Sequence, residues 1–541
     1  MRRPKRAACW LLVAALGLPH APVAAQVAAQ DVALPSLGEP ASEDFGVTAE
    51  RRLGEQVMRE IRRDPAYLDD PLLLTHVQSL WRPLLEAARA RGDIEPDAEA
   101  NFAWEAFLVR DRAVNAFALP GGYVGIHLGL IAVTASADEL ASVLAHELTH
   151  VSQRHIARGF ANSKRHSLVS VAAMLLAVLA AGRANNADAM QAAVVGGQAA
   201  VAQGQLNFSR DVEREADRIG FAVLVAAGFA AGGMADMFTR LEAANRLNDT
   251  GAFPYLRSHP LTGDRLAEAR ARLLAAPPGV NAAARPTWRH ALMQARAKVL
   301  MEPTAGAWRR LLDAFNGRDG AVMPAAPKPR AIALYAAALG AAKLGEHAVA
   351  VSALRQLEGL LAEPAHADAD AAALVSLLRA ELALARGEAT ASLAMLARPL
   401  AVAGDERPWL LLHAASAREA LRTGGTGGPT SAEVRRAMEA LQTWVSAHPA
   451  DALAWARLGD TAEALGFTQR SMRARAEAAF AGGDLNGAID RMRAAQQAGR
   501  GPGADFIEAQ AVEARLRDLI ATRRALLIEA RGERAGGDPP R

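Results

Sequence analysis

The alternation of apolar and polar positions divides the chain into stretches of different character. Arg2, Arg3, Lys5 and Arg6 precede an uncharged apolar run over residues 7–18, and the small residues Val23, Ala24 and Ala25 follow. This order predicts a secretory signal over 1–25, cleaved after Ala25. The competing reading, an uncleaved anchor, suffers from length, because a membrane span needs ~20 apolar residues. Residues 26–45 are rich in Pro and Ala and read as a flexible lead-in. From 46 to 110 the period is helical, with Leu53, Val57, Met58 and Ile61 on one face of a first helix. Residues 105–119 are the best strand candidate, Pro120-Gly121-Gly122 makes a turn, and 123–131 reads as a second strand. A strong helix is expected from Ser136 to Gly159, capped by Ser136 or Asp138.

Beyond Ala275 the pattern changes. Pro277, Pro278, Gly279 and Pro286 mark a boundary near 277–287, and a second Pro-rich stretch covers 323–329. Helix pairs follow. Residues 334–354 and 377–396 have the small-residue pattern of helical hairpins, with Gly345 and Gly387 at matching places. In 449–466 the spacing Trp455-x-x-Leu458-Gly459 matches the tetratricopeptide signature, and 473–495 forms another hairpin turning at Gly482-Gly483. Such hairpins stack into a solenoid with a concave binding surface; an ordinary helical bundle is the plainer alternative. The expected organisation is a domain over 46–280, a repeat region over 287–530 and a polar tail over 531–541.

Composition agrees with a mainly helical protein. The chain has 541 residues, only 5% aromatic, with four tyrosines and abundant alanine, the best helix former. A net charge of +3 argues against a nucleic-acid binder, which would carry a basic stripe. Its one cysteine, Cys9, lies inside the expected signal. This excludes a disulfide framework and a Cys-rich metal site, and suits an oxidising compartment.

Chemistry enters with His146-Glu147-Leu148-Thr149-His150. On a helix, residues four apart share a face, so both imidazoles can turn toward one metal ion. Glu147 then lies beside them, free to act as a base toward a metal-activated water. With 13 histidines in the chain, chance produces this pattern about 0.02 times. A zinc site with two histidines needs a third protein ligand. Glu213 is the candidate, and Asp217, one turn on, could accept a hydrogen bond from a ligand histidine. Glu215 points elsewhere on a helix and reads as a solvated carboxylate. His155, at i+5 from His150, reads as a surface residue.

Four segments together resemble peptidase family M48, a group of zinc-dependent gluzincins: NAFALPGG (115–122), LAHELTHVSQRH (144–155), SRDVEREADRIG (209–220) and SHPLTGDR (258–265). The resemblance covers roughly 45–275. It implies an α+β gluzincin-type fold with a small sheet, followed here by a tetratricopeptide-like α-helical solenoid. It also implies one zinc per chain, held by His146, His150 and Glu213, with Glu147 as general base. His259 is implied in one of two roles, as a fourth zinc donor that holds the enzyme off or as a transition-state stabiliser together with Arg265. The exported, repeat-bearing members imply a periplasmic quality-control enzyme for misfolded or stalled outer-membrane proteins, with the repeats recruiting the β-barrel assembly machinery. A non-proteolytic scaffold or chaperone is the alternative from another functional class. The strand at 115–119 could offer an edge to an extended substrate, or be paired inside the sheet.

Between the two metal segments, 167–182 and 189–209 are uncharged. The first is short for a span, and glutamines interrupt the second. Together they read as a helical hairpin packed over or gating the site; a membrane-surface or client-binding patch is the second reading.

Overall fold

In a computed structural model the described residues are 46–161, 210–247, 255–276, 286–318, 320–397, 406–424, 429–500 and 505–535. The expected signal, the lead-in and the stretches 167–182 and 189–209 lie outside them. So do the core of the expected boundary, 277–285, and the last six residues.

The first helix, α1 (Val47–Arg63), buries Leu53, Val57, Met58 and Ile61, the face its spacing predicts. After β1 (Tyr67–Leu68), α2 (Pro71–Arg91) starts on an Asp70 cap that accepts from the Leu73 N–H at 3.0 Å. It ends at Gly92 in the left-handed region. A short α3 (Pro96–Asn101) leads into the sheet.

The long strand expected over 105–119 is two strands, β2 (Glu105–Val109) and β3 (Ala116–Leu119). The expected strand 123–131 is β4 (Tyr123–His127), which passes directly into the helix α4 (Leu128–Val133). An apolar run of this length does not distinguish strand from buried helix by periodicity. The strand order is β1-β2-β4-β3; β2 runs parallel to β4, and β3 antiparallel to it. This places β3 at an edge. His127 N–H donates to Asn115 O, so the pairs 117–125 and 119–123 are also the bonded ones. Ala116 and Ala118 therefore turn their backbone N–H and C=O away from β4, toward the open edge.

Helix α5 (Ala137–Ser152) runs beneath this edge. Ser136, the first of the two cap candidates, accepts from the Glu139 N–H, and Glu139 in return accepts from the Ala135 N–H. Asp138 instead accepts from Ala230 N–H. From Glu139 onward α5 is buried on every side, against α2, β3, β4, α7 (Arg210–Ala226) and α8 (Gly232–Leu247). The apolar LASVLA turns supply that burial. The crossing with α7 is close because Gly220 has no side chain: a Cβ there would sit 3.1–3.2 Å from the backbone of Ala145 and His146. The same close approach brings the Glu213 and Asp217 face of α7 onto the histidines.

The expected helix to Gly159 is interrupted. Arg154 has a φ of 52°, and α6 (His155–Ala161) sets off in a new direction. Two short elements, α9 (Tyr255–Ser258) and α10 (Gly263–Leu274), close the site from the other side.

Helices continue from α11 (Trp288–Leu300) and α12 (Ala305–Asn316) through paired helices to the long terminal α22 (Phe506–Ala535). The turns of two hairpins carry Gly345 and Gly387 at φ +77° and +81°, a conformation that side chains disfavour. Trp455 and Leu458 are buried between neighbouring helices. One apolar core runs from Leu68 through the sheet and α5 to Leu396, and a second begins at Leu410. Among the described residues the architecture is thus mainly helical with one small sheet, as the composition and motifs imply. No helix among the described residues is long and apolar enough to cross a membrane.

Candidate metal centre

Four buried side chains converge below the edge strand: His146 and His150 from α5, Glu213 from α7, and His259 just after α9. His146 Nε2 lies 3.0 Å from His150 Nε2, 3.4 Å from Glu213 Oε2 and 3.3 Å from His259 Nδ1. Glu213 Oε1 lies 3.5 Å from His150 Nε2 and 3.0 Å from His259 Nδ1. Ligands at the ~2.0–2.1 Å of zinc–nitrogen bonds stand about 3.3 Å apart in a tetrahedron. The donor set and its spacing therefore fit a tetrahedral metal ion.

A second observation points the same way. Glu147 is fully buried, and neither carboxylate oxygen has a side-chain hydrogen-bond partner among the described residues. His259 Nε2 lies 3.6 Å from its Oε1. Burial raises the Glu147 pKa above the ordinary value, with His259, His146 and the Ala118 backbone N–H opposing. Such an orphaned acceptor is expensive unless a ligand or water meets it.

The surrounding contacts orient the cluster. His146 Nδ1 lies 3.0 Å from Asp217 Oδ1. Asp217 is clamped by Arg265, whose Nε and Nη2 donate to its two oxygens at 2.7 and 2.8 Å. The same guanidinium reaches Glu213 Oε2 at 2.8 Å and Pro260 O at 3.0 Å, and lies over the Phe238 ring. Burial opposes a charge on Asp217, but the Arg265 and His146 hydrogen bonds outweigh it and lower its pKa. Arg265 is thus saturated by the ligand scaffold, and His259 points directly into it. Tyr255, which the motifs do not single out, stacks on the His259 ring at 4.7 Å. Its N–H takes the outward carbonyl of Val114, just before the edge strand.

Two residues differ from their sequence reading. His155 is buried, only 2% exposed, and its Nδ1 lies 2.9 Å from His150 Nδ1. Its Nε2 lies 3.1 Å from Glu215 Oε2. Glu215 is therefore engaged, by His155 and by Arg158 at 2.6 Å, and these hydrogen bonds pull its pKa down to about 2. The reason is the break at Arg154. On a continuous helix of 3.6 residues per turn, i+5 falls about 140° away from His150. The left-handed residue turns the chain back, so the ring returns to its neighbour. That conformation costs about 1–2 kcal/mol for a residue with a side chain, and Arg154 is held in it by Glu50 at 2.8 Å. The signal lay in the quoted HELTHVSQRH; the missing information was the turn.

The model of peptidase family M48 matches residues 79–273, which include His146, Glu147, His150, Glu213, His259 and Arg265. A Vibrio cholerae protein that carries the name beta-barrel assembly-enhancing protease is 37% identical over 268 residues, 50% of this chain and 52% of the relative. The beta-barrel assembly-enhancing protease of Escherichia coli K12 is 32% identical over 239 residues, 44% of this chain and 47% of the relative. The mitochondrial metalloendopeptidase OMA1 of Saccharomyces cerevisiae is 27% identical over 197 residues, 35% of this chain and 53% of the relative. The chain spans about half the length of the relatives it matches. The buried His/Glu cluster thus lies within the segment 79–273 that matches peptidase family M48.

Proposed function

We propose that this chain is a periplasmic zinc endopeptidase acting in the quality control and assembly of outer-membrane proteins. One observation carries the enzymatic part: three buried donors, His146, His150 and Glu213, stand beside a buried carboxylate, Glu147, that has no side-chain hydrogen-bond partner among the described residues. The cellular role rests on the names of the bacterial relatives.

In this reading His146, His150 and Glu213 hold one zinc ion, which when bound acidifies a coordinated water and polarises a peptide carbonyl. Glu147 accepts the proton from the attacking water and delivers it to the leaving amine. The open backbone of Ala116 and Ala118 aligns an extended peptide by strand addition, above the α5 residues that react with it. Asp217 orients His146, and Arg265 acts as a positioning residue that fixes Asp217 and Glu213.

His259 is the regulatory group of this scheme. Its Nδ1 already stands at ligand spacing from His146 and Glu213, as a fourth donor competing with water would. His259→Ala is expected to raise basal cleavage of an unfolded protein, read as an initial rate with zinc saturating. A lower rate would assign the transition-state role instead.

The scaffold reading has its own observation. A groove of about 1300 Å³ opens between β1, β2 and the repeat helices, lined among others by Tyr67, Arg82, Arg407, Trp444 and Arg491. It suits recruitment of clients or of the β-barrel assembly machinery. Complementation separates the two functions. Glu147→Gln, expressed in a strain lacking the gene, is expected to leave outer-membrane assembly defects uncorrected; full complementation would show that proteolysis is dispensable.

A further inference from the structure

We propose that His155 and Glu215 form a hydrogen-bonded relay that fixes the tautomer and orientation of His150 as a metal ligand. The inference rests on the zinc reading above. It starts from the contact of two Nδ1 atoms, His150 and His155, at 2.9 Å, and of His155 Nε2 with Glu215 Oε2 at 3.1 Å.

For a neutral His155 the donor inventory gives one arrangement. An ionised carboxylate only accepts, so His155 Nε2 carries its proton toward Glu215. A neutral imidazole then has a bare Nδ1, which must accept from His150 Nδ1–H. That leaves His150 Nε2 bare, and this is the atom facing His146 Nε2 and Glu213. His146 is fixed by the same logic from the other side, through Asp217 on the same helix as Glu215. Each ligand histidine thus has its own carboxylate, one directly and one through a second ring. The break at Arg154, held by Glu50, immediately precedes His155 and turns its ring back onto His150. Arg158 holds the Glu215 carboxylate from its other flank.

The relay makes His155 and Glu215 positioning residues, and partners of metal-bound histidines of this kind change metal affinity by about 10–100-fold. The test is the zinc dissociation constant of the full chain, measured by competition with a chromophoric chelator. It is read beside the melting temperature of the zinc-free protein. His155→Leu and Glu215→Leu are expected to weaken zinc binding by about 10–100-fold while the zinc-free proteins melt close to wild type. His155→Asn keeps an acceptor at the place of Nδ1 and is expected to recover most of the affinity. Unchanged affinity in both leucine variants, or an asparagine variant as weak as leucine, would overturn the relay. If His155→Leu does not fold, Glu215→Leu decides, since that side chain is 30% exposed. A wild type that takes up no zinc at all would overturn the metal reading and the relay with it.

Discussion

Glu147→Gln is expected to reduce the hydrolysis of an unfolded protein by about 10²–10⁴-fold, the contribution of a positioned general base, without releasing the metal. Both halves follow from position. Glu147 lies next to His146 on α5 but outside the group of four converging donors. Its oxygens are buried without a side-chain hydrogen-bond partner among the described residues, which is where an attacking water would be received. Glutamine keeps the shape and removes the basicity and the buried charge, so the fold should not suffer. The same carboxylate sets the acid side of the rate profile. Burial raises its pKa, and a base works only when ionised. Wild-type activity is therefore present above that raised value and lost as pH falls through it. Rates and metal content measured on the same samples check the prediction. A variant that cleaves at the wild-type rate would remove Glu147 from the mechanism.

The largest expected effect on stability comes from a residue far from the metal. Arg296→Met is expected to destabilise the protein by about 3–5 kcal/mol, the usual cost of stranding one half of a buried ion pair. Arg296, on α11, grips both oxygens of Asp70 at 2.7 Å and reaches Glu381 at 2.9 Å. Asp70 is also the cap of α2, which packs against α5. The pair therefore fastens the later helices to the helix behind the catalytic one. Burial alone would raise the Asp70 pKa, but Arg296 outweighs it and the folded value is lowered. The sign follows: the pair stabilises the fold above the unfolded aspartate pKa of ~3.9, and the stabilisation is lost as pH falls through the lowered folded value. Denaturant unfolding should show a gap between wild type and variant at neutral pH that narrows in acid. A constant gap would mean that packing of the arginine stem, not charge, is what was removed.

Much of the site is legible from spacing because helices convert sequence separation into direction. His146 and His150, and Glu213 and Asp217, lie four apart, and the fold turns both pairs toward one point. The Ser136 cap is a local matter of side chain and amide, and it too is visible in the chain. What escapes is whatever depends on a break in periodicity. The 105–119 stretch is legible as strand but not as two: Arg110-Asp111-Arg112 interrupt its apolar pattern, yet charged residues also occur on the polar face of a single strand and do not by themselves mark a turn. His155 looks exposed because an unbroken helix would point it away, and an arginine does not announce a left-handed conformation. Tyr255 carries no motif and acquires meaning only when stacked on His259. Nor does the chain reveal that one apolar core joins the sheet to helices as far as Leu396, since buried alanine-rich helices look alike wherever they pack.

In the proposed function this cluster holds a catalytic zinc ion. The most direct test is cleavage of an unfolded outer-membrane β-barrel protein by the full chain, before and after removal of metal with a chelator, and again after zinc is returned. Loss of cleavage on chelation and recovery with about one zinc per chain are expected. Cleavage that continues undiminished in the metal-free protein would contradict the zinc assignment.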